Sequence, residues 1–372
     1  MVPALDGLRG LAVFMVVAWH CWNLSGNASA SAGGRLAAGL LPNGIYLLFL
    51  ISGFVMYLPT AARGRFGSVR AYALRRVARI APAFYLSLAI LLLFWPAFVD
   101  PSMGIPYPSP AAVLAEVTFL FQPLSMIDDT TFAAGFMVNG PVWTLSVEAL
   151  FYVTLPFVAM RFHRHPLWGL GLALAIAIAW RLALEGEINQ FPFWIGALGA
   201  GMAAAEGYVR LRALEAQERL RRLALVVQLL ALAAVVGLGW IAGGQDVVGG
   251  RESYLASIES IPISTLFPIV LGVLVLATAL APPGAQWLVT NRPARWIGDR
   301  SYGVYVIHAL VLRFVILHLF RPDRTGGLGE FAKWFLIAGS VSMVYGWASY
   351  RFVELPIRRR ARRVTKRWQV TA

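Results

Sequence analysis

Long runs of hydrophobic residues recur along this chain, and short polar segments separate them. A helix of about 20 apolar residues crosses the hydrocarbon core of a bilayer, and most of these runs approach that length. The pattern predicts an all-α polytopic membrane protein with about ten transmembrane helices. The predicted spans are residues 8–25, 42–59, 79–98, 142–160, 166–184, 189–206, 222–242, 262–281, 299–320 and 331–353.

The segments between these spans fall into two groups by charge. Arginine is concentrated in segments 60–79, 161–165, 207–222 and 282–300 and in the C-terminal tail. In the other connections most of the charged residues are Asp or Glu. With ten spans all the basic segments lie on one side of the membrane, which the positive-inside rule identifies as the cytoplasm. We therefore expect both termini to be cytoplasmic and the protein to lie in the inner (plasma) membrane. The predicted domains are a transmembrane domain over residues 1–356 and a basic tail over residues 357–372.

The amino-acid composition indicates which kind of molecule the protein contacts. Hydrophobic residues make up 59% of the chain and charged residues 13%, with a mean hydropathy of +0.67, whereas about a quarter of the residues in a soluble protein are charged. The net charge is +14. In a soluble protein this excess would suggest nucleic acid, but the topology accounts for it here. The lipid bilayer is therefore the expected partner and nucleic acid is not. The sequence contains no metal-binding spacing.

Residues 99–141 are less regular than the rest and rich in Pro and Gly. The stretch 111–121, AAVLAEVTFLF, is apolar but too short to span a bilayer. Such a segment is typical of a re-entrant or interfacial helix.

The first apolar run contains a cation and a titratable base, Arg9 and His20. Eleven positions correspond to about three turns of an α-helix, so the two side chains share one face and are separated by a rise of about 16 Å. Charged and titratable groups inside a membrane are costly and usually mark a site.

Two further titratable residues are predicted to lie within the membrane. The predicted spans and their directions place His20, Glu148 and His308 at overlapping middle and outer depths. The sequence does not establish that the three meet laterally. For each of them the alternative is that the side chain only links helices through hydrogen bonds.

A basic run, RAYALRRVARIAP, covers residues 70–82 and contains Arg75, Arg76 and Arg79. Arg75 and Arg79 share a helix face. One interpretation is simple anchoring to anionic lipid headgroups. The other is a cradle for a phosphorylated cytoplasmic ligand, because guanidinium groups bind phosphate through paired hydrogen bonds.

Two more motifs carry polar groups into predicted spans. The first, GPVWTLSVEALFY at 140–152, contains Ser146 and Glu148, which face different directions on a helix. In the second, DRSYGVYVIH at 299–308, Ser301, Tyr305 and His308 recur at intervals of four and three residues and form a polar stripe on one face.

In this order, the motifs resemble those of the acyltransferase 3 family of integral-membrane O-acyltransferases. The corresponding elements are R-x10-H (Arg9 and His20), S-G-F (52–54), R-R-x-x-R-I-x-P (75–82), W-x-L-S-x-E-x-x-F-Y (143–152), S-Y-x-x-Y-x-x-H (301–308) and Y-R-F-V-E-L-P (350–356). The resemblance covers residue 4 to about residue 360. Some members add an extracytoplasmic SGNH domain, and this chain looks like the stand-alone form.

The resemblance implies transfer of an acyl group, acetyl by default, from cytoplasmic acyl-CoA to a hydroxyl on a surface glycan, a lipid or a secondary metabolite. Acyl-CoA is then a co-substrate, and no permanently bound cofactor is expected. His20 would act as general base or, alternatively, as a transiently acylated nucleophile. The implied supporting residues are Glu148 and His308 in catalysis, Arg9, Arg75, Arg76 and Arg79 at the coenzyme A phosphates, and Trp143, Ser146, Tyr152, Tyr302 and Tyr305 at the substrate.

Two other classes of protein remain open. Buried His, Glu and Arg in a ten-helix bundle also suit a proton-coupled transporter. Inverted repeats and paired broken helices would favour that class, and the sequence contains neither in recognisable form. A scaffold that presents its basic tail to anionic lipid is the third class, but it leaves the intramembrane His and Glu unexplained.

Overall fold

The computed structural model describes residues 2–25, 32–128, 139–184, 187–244, 261–323 and 327–370. Over these residues the protein is helical and forms no β-strand, as the hydrophobic runs predict. The first seven α-helices are α1 Pro3–Leu24, α2 Ala32–Leu40, α3 Gly44–Arg63, α4 Val69–Leu93, α5 Trp95–Phe98, α6 Pro110–Val117 and α7 Phe121–Ser125. The others are α8 Trp143–Arg164, α9 Pro166–Ala183, α10 Phe191–Arg212, α11 Gln217–Gly244, α12 Ile261–Leu280, α13 Pro283–Thr290, α14 Arg292–His318, α15 Gly327–Ser349 and α16 Leu355–Val370.

Within the described ranges, eight helical segments are long and apolar enough to cross a membrane. They are Pro3–Leu24, Ala32–Arg63, Val69–Leu93, Gly140–Arg164, Pro166–Ala183, Gln217–Gly244, Ile261–Leu280 and Arg292–His318. The other two predicted spans, 189–206 and 331–353, coincide largely with α10 and α15, which have 22 and 23 residues. The protein is therefore a polytopic helical membrane protein, while the count of ten and the cytoplasmic termini stay predictions.

Two helices extend well into segments that the hydropathy pattern assigned to connections. Helix α4 begins at Val69, ten residues before the predicted span, and the side chain of Ser68 caps it by accepting a hydrogen bond from the Ala71 amide. Helix α16 covers most of the predicted tail and is strongly basic. Hydropathy locates membrane-crossing residues, and it gives no signal for polar helical turns beyond them.

The irregular segment 99–141 forms short helices rather than one re-entrant helix over 111–121. Helix α6 ends at Val117, and α7 starts at Phe121. Between them Phe119 adopts a positive φ of 60°, the left-handed conformation that few non-glycine residues adopt. Residues 129–138 of this segment lie outside the described residues.

The chain divides into two compact units. The first comprises residues 1–19, 28–66 and 154–299, and the second comprises residues 20–27, 67–153 and 300–372. In the first unit α3 packs closely along α10. A β-carbon added at Gly53 would overlap the carbonyl oxygen of Leu198, and one added at Gly201 would overlap that of Leu50. The glycine of the S-G-F motif therefore permits close contact between these helices.

A buried carboxylate links three helices of the first unit. Glu206 of α10 accepts hydrogen bonds of 2.8 Å from the Tyr57 hydroxyl on α3 and from Nε of Arg210. Nδ1 of His163, in the last turn of α8, lies 3.0 Å from Oε2 of Glu206. Because the carboxylate contacts up to three donors, it can stay ionised although its residue is 3% exposed.

The second unit has an aromatic and aliphatic core. Leu91 of α4, Trp95 and Phe98 of α5, and Ile307 and Leu310 of α14 pack together with exposures of 8% or less. Helix α14 also approaches α15 closely, since a β-carbon at Gly303 would lie 2.8 Å from Cα of Gly346. This packing fixes the helix that carries the predicted polar stripe.

Candidate active site

Three arginines of the predicted phosphate cradle, Arg75, Arg76 and Arg79, lie in the regular part of α4 and are partly buried. We call them the arginine cluster. The Arg76 guanidinium lies over the rings of Tyr72 and Tyr152, 5.8 Å and 5.9 Å from their centroids. Cation–π contacts of this kind stabilise a positive charge that burial would otherwise disfavour. The arginine cluster thus borders an aromatic wall built from α4 and α8.

Glu148 belongs to the same group of side chains. The hydroxyl of Tyr152, one turn further along α8, donates to Oε1 of Glu148 at 2.5 Å. The carboxylate also interacts electrostatically with Arg76, and with Tyr302 and Tyr305 of α14. Glu148 therefore lies within reach of both the arginine cluster and the polar stripe.

The tyrosines of α14 hold its polar stripe against two other helical segments. The Tyr302 hydroxyl donates to the carbonyl of Ile80 on α4 at 2.6 Å. The Tyr305 hydroxyl donates to the carbonyl of Pro141 at 2.7 Å and lies 2.8 Å from the hydroxyl of Thr144. These contacts use the single O–H donor of each phenol, so the rings are fixed in orientation.

The polar stripe faces the protein interior along its length. Ser301, Tyr305 and His308 are 1%, 4% and 0% exposed, which confirms that the sequence spacing marks one buried face. From Tyr302 to His308 the helix rises by about 9 Å. Polar groups therefore continue from the level of Tyr302 to the level of His308.

His20 and His308 meet at the far end of this stripe, and we call them the histidine pair. Their ring centroids are 5.3 Å apart and the rings are tilted by 45°. Nδ1 of His308 lies 2.6 Å from the carbonyl oxygen of Tyr305, and because that oxygen can only accept, Nδ1 carries the proton. Nε2 of His308 consequently presents a lone pair. It is buried and has no hydrogen-bond partner among the described residues.

An imidazole with its proton fixed on one nitrogen can accept a proton on the other. The histidine pair therefore has the chemistry of a general base, or of a nucleophile with a supporting acceptor. The structure brings together His20 and His308, whose lateral meeting the sequence left open. The contacts described for Glu148 lead to Tyr152 and Arg76, and its role in orienting His20 stays a prediction.

Both residues of the W-x-L-S motif that are predicted to contact the substrate are buried. The Ser146 hydroxyl donates to the carbonyl of Phe119 at 2.6 Å, and it therefore satisfies the backbone at the residue of positive φ between α6 and α7. Trp143 is 8% exposed. Contacts of Ser146 and Trp143 with a substrate stay predictions.

Arg9 lies in the first unit, in α1, and its guanidinium forms an ion pair of 3.6 Å with Asp6 one turn earlier. Both Arg9 and His20 are in α1, as predicted. A role for Arg9 at a donor phosphate stays a prediction.

Several residues of this site were missed at the sequence level. Tyr72 stands four residues before Arg76, and Thr144 stands four before Glu148, so the helical spacing contained a usable signal. Asn139, in contrast, donates to the carbonyl of Val306, 167 positions away, at 3.1 Å. No local pattern indicates a contact at that separation.

The chain is similar to known proteins over most of its length. A family model described as an acyltransferase domain, Acyl_transf_3, matches residues 2–351. The chain is 24% identical to the peptidoglycan O-acetyltransferase OatA of Listeria monocytogenes, and this match covers 96% of the chain and 56% of OatA. It is 26% identical to nodulation protein 10 of Rhizobium leguminosarum, over 84% of the chain and 83% of that protein. It is also 27% identical to the acyltransferase MdmB of Streptomyces mycarofaciens, over 84% and 79%.

The chain thus spans little more than half the length of OatA and most of the length of the other two relatives. No solved structure matches the chain.

Proposed function

Because the chain belongs to the acyltransferase 3 family of membrane proteins, we propose that it transfers an acyl group from acyl-CoA to a hydroxyl of a glycan, glycolipid or sugar-containing metabolite. Acetyl is the proposed acyl group, since the relative OatA is named an O-acetyltransferase. A glycan acceptor is supported by the name of OatA, a peptidoglycan O-acetyltransferase. The proposed location is the inner (plasma) membrane, because the arginine-rich segments favour one cytoplasmic side.

The histidine pair is the observation that carries the proposal. An acceptor alcohol needs a base when it attacks a thioester, and a neutral imidazole is suited to this near pH 7. His20 is partly accessible, whereas His308 is fully buried. We therefore assign the base to His20. We assign to Nε2 of His308 the role of accepting a hydrogen bond from His20 or from the acceptor.

The reaction then needs no redox partner. His20 takes the proton of the acceptor hydroxyl as its oxygen attacks the thioester carbonyl carbon. The carbon–sulfur bond breaks, and coenzyme A leaves as a thiolate that recovers the proton from the imidazolium. In the alternative route His20 itself attacks the thioester, and an acyl-imidazole passes the acyl group to the acceptor.

The arginine cluster is the proposed site of the coenzyme A phosphates. Guanidinium groups bind phosphate through charge-assisted hydrogen bonds. The Tyr152 and Glu148 side chains adjoin this cluster, and Tyr302 and Tyr305 continue from α4 toward the histidine pair. We infer that the acyl end of the donor reaches His20 along these side chains.

Turnover of labelled acetyl-CoA by the purified protein tests the base assignment. Peptidoglycan fragments, glycolipids and sugar-containing metabolites would serve as acceptors, and mass spectrometry would identify the products. His20→Ala is expected to lose transfer by a factor of about 100 or more while keeping its melting temperature. His165→Ala is the matched control, because His165 is exposed at the start of α9. Normal turnover by His20→Ala would overturn the assignment.

Binding of acetyl-CoA tests the donor site separately. Changing Arg75, Arg76 and Arg79 together to Gln is expected to weaken binding, whereas Arg70→Gln on the exposed start of α4 is not. Unchanged binding in the triple variant would contradict the donor site and favour anchoring of the arginine cluster to lipid headgroups.

The rival function is proton-coupled export through the same buried groups. Consumption of acyl-CoA by detergent-solubilised protein, with no gradient present, separates the two functions. A transporter would release no coenzyme A under these conditions.

A further inference from the structure

The C-terminal basic helix is packed against the arginine cluster's own helix. Helix α15 continues through a π-helical turn, Tyr350–Glu354, directly into α16. Helix α16 then packs along α4. The π-helical turn coincides with the Y-R-F-V-E-L-P motif, for which the proposed function has no role. Single π-helical turns frequently occur at functional sites.

Tyr350 organises two arginines around this turn. The Arg300 guanidinium lies 5.0 Å from its ring centroid and that of Arg358 lies 6.0 Å away. A phenol ring attracts cations at its face, so it can hold two guanidinium groups that would otherwise repel each other. Arg358, in the first turn of α16, is thereby held beside the Tyr350 ring. Its partial burial agrees with this position.

Arg358 is close enough to Arg79 for the two charges to interact. Burial lowers the pKa of Arg358, the charges of Arg79 and Arg362 lower it further, and Glu354 and Tyr350 oppose them. Among the described residues, neither Arg79 nor Arg358 forms an ion pair within 4 Å. Two partly buried cations on helices that pack together, without such a pair, are costly, and an anion between them would offset that cost.

We propose that Arg358 of α16 and Arg79 of α4 form two walls of one phosphate-binding site, so that the C-terminal helix is part of the donor site. This inference rests on the proposed function, since it names the coenzyme A moiety as the occupant. The same chemistry would also attract the phosphate of an anionic lipid headgroup. The experiment must therefore distinguish these two sources.

Binding of coenzyme A to the full chain in nanodiscs of neutral phosphatidylcholine provides the test. Arg358→Gln is expected to weaken binding by about tenfold or more, which is the effect of losing one charge-assisted hydrogen bond. Arg359→Gln makes the same charge change on the exposed side of the same helix, and it is expected to stay within about twofold of the wild type. Equal affinities for wild type and Arg358→Gln would overturn the inference.

The ring of Tyr350 gives a second set of variants if Arg358→Gln fails to fold. Tyr350→Phe keeps the aromatic face and is expected to bind coenzyme A as the wild type does. Tyr350→Leu removes the face and is expected to weaken binding by several-fold. Equal binding by the two variants would contradict the placement of Arg358 by this ring.

Nanodiscs that contain phosphatidylglycerol separate the lipid from the donor. If the site serves coenzyme A, Arg358→Gln weakens its binding in both neutral and anionic nanodiscs. If it serves a headgroup, the variant changes only the retention of phosphatidylglycerol, and the inference is overturned. Absence of coenzyme A binding by the wild type would overturn the donor assignment in the proposed function as well, so the two failures are distinguishable.

Discussion

His20 and His308 lie in ring contact, with 5.3 Å between their centroids, although 288 positions separate them in the sequence. The fixed proton on Nδ1 of His308 leaves its Nε2 as an acceptor in this contact. Two imidazoles at this distance can both take part in one proton-transfer step. This relationship leads to the first prediction.

Removing either histidine should damage the same catalytic step. His20→Ala and His308→Ala are each expected to lower kcat by about 100- to 10,000-fold, with little change in acetyl-CoA binding. Because the pair acts as a unit, the double variant should be little worse than the more severe single variant. Single-turnover kinetics on the three variants would measure this. Losses that multiply in the double variant would indicate independent roles.

A methyl group at Gly53 should separate α3 from α10. The added β-carbon overlaps the Leu198 carbonyl, and overpacking of this kind costs about 1–3 kcal/mol. We therefore expect Gly53→Ala to lower the melting temperature in detergent.

Gly171→Ala provides the matched control for Gly53→Ala. A β-carbon at Gly171 meets no atom within 4 Å, so this change should be neutral or slightly stabilising, by up to about 1 kcal/mol of helix propensity. Equal melting temperatures for the two variants would contradict the close helix contact.

Ser146 should contribute to stability before it contributes to substrate binding. Its hydroxyl is the donor to the Phe119 carbonyl, and a buried carbonyl left without a donor costs about 1–3 kcal/mol. Ser146→Ala is therefore expected to lower the melting temperature without a change in KM for the acceptor. A raised KM at unchanged stability would instead support the substrate role that the motif predicts.

Glu116 should make stability depend on pH with an unusual sign. The carboxyl group is buried in α6 and has no hydrogen-bond partner within the described part of the chain, and burial raises its pKa from 4.5 to about 8. Between these values the folded state keeps a proton that the unfolded state releases, so stability falls as pH rises from about 4.5 to about 8. Glu116→Gln should abolish this slope, which melting curves across that range would measure.

Glu330→Gln is the matched control for the pH prediction. Hydrogen bonds from Lys333 and from the Asp323 amide lower the pKa of Glu330 below 4.5. Its contribution to stability is therefore present above pH 4.5 and is lost at more acidic pH. The fall in stability between about pH 4.5 and about pH 8 should therefore remain in Glu330→Gln. A slope that disappears in Glu330→Gln, or persists in Glu116→Gln, would contradict the assignment to Glu116.

The hydrophobic runs were sufficient to locate the long helices because a membrane-crossing helix must be apolar along most of its length. They also predicted that Ser301, Tyr305 and His308 share a buried face, because that spacing is a local property of one helix. Helix α16 was assigned to a tail, because a basic amphipathic helix has low mean hydropathy and resembles an unstructured polar segment.

Contacts between distant helices were not predictable from this one sequence. The meeting of His20 with His308, of Ser146 with the Phe119 carbonyl and of α16 with α4 depends on how the helices pack. Periodicity states which face of a helix is buried, and it does not state against which helix that face lies. The family resemblance supplied the residue types of the site but not these partners.

The π-helical turn Tyr350–Glu354 has a consequence for the phase of the helix that contains it. Such a turn holds about one residue more than an α-helical turn, and one residue corresponds to a rotation of about 100° about the axis. The side chains of α16 are therefore rotated about the helix axis relative to the positions that an uninterrupted α-helix would give them. One continuous helix can present its apolar side to the bundle before the turn and direct Arg358 toward α4 after it, without a loop. Deleting a single residue here would restore α-helical phase and swing the arginines of α16 away from α4.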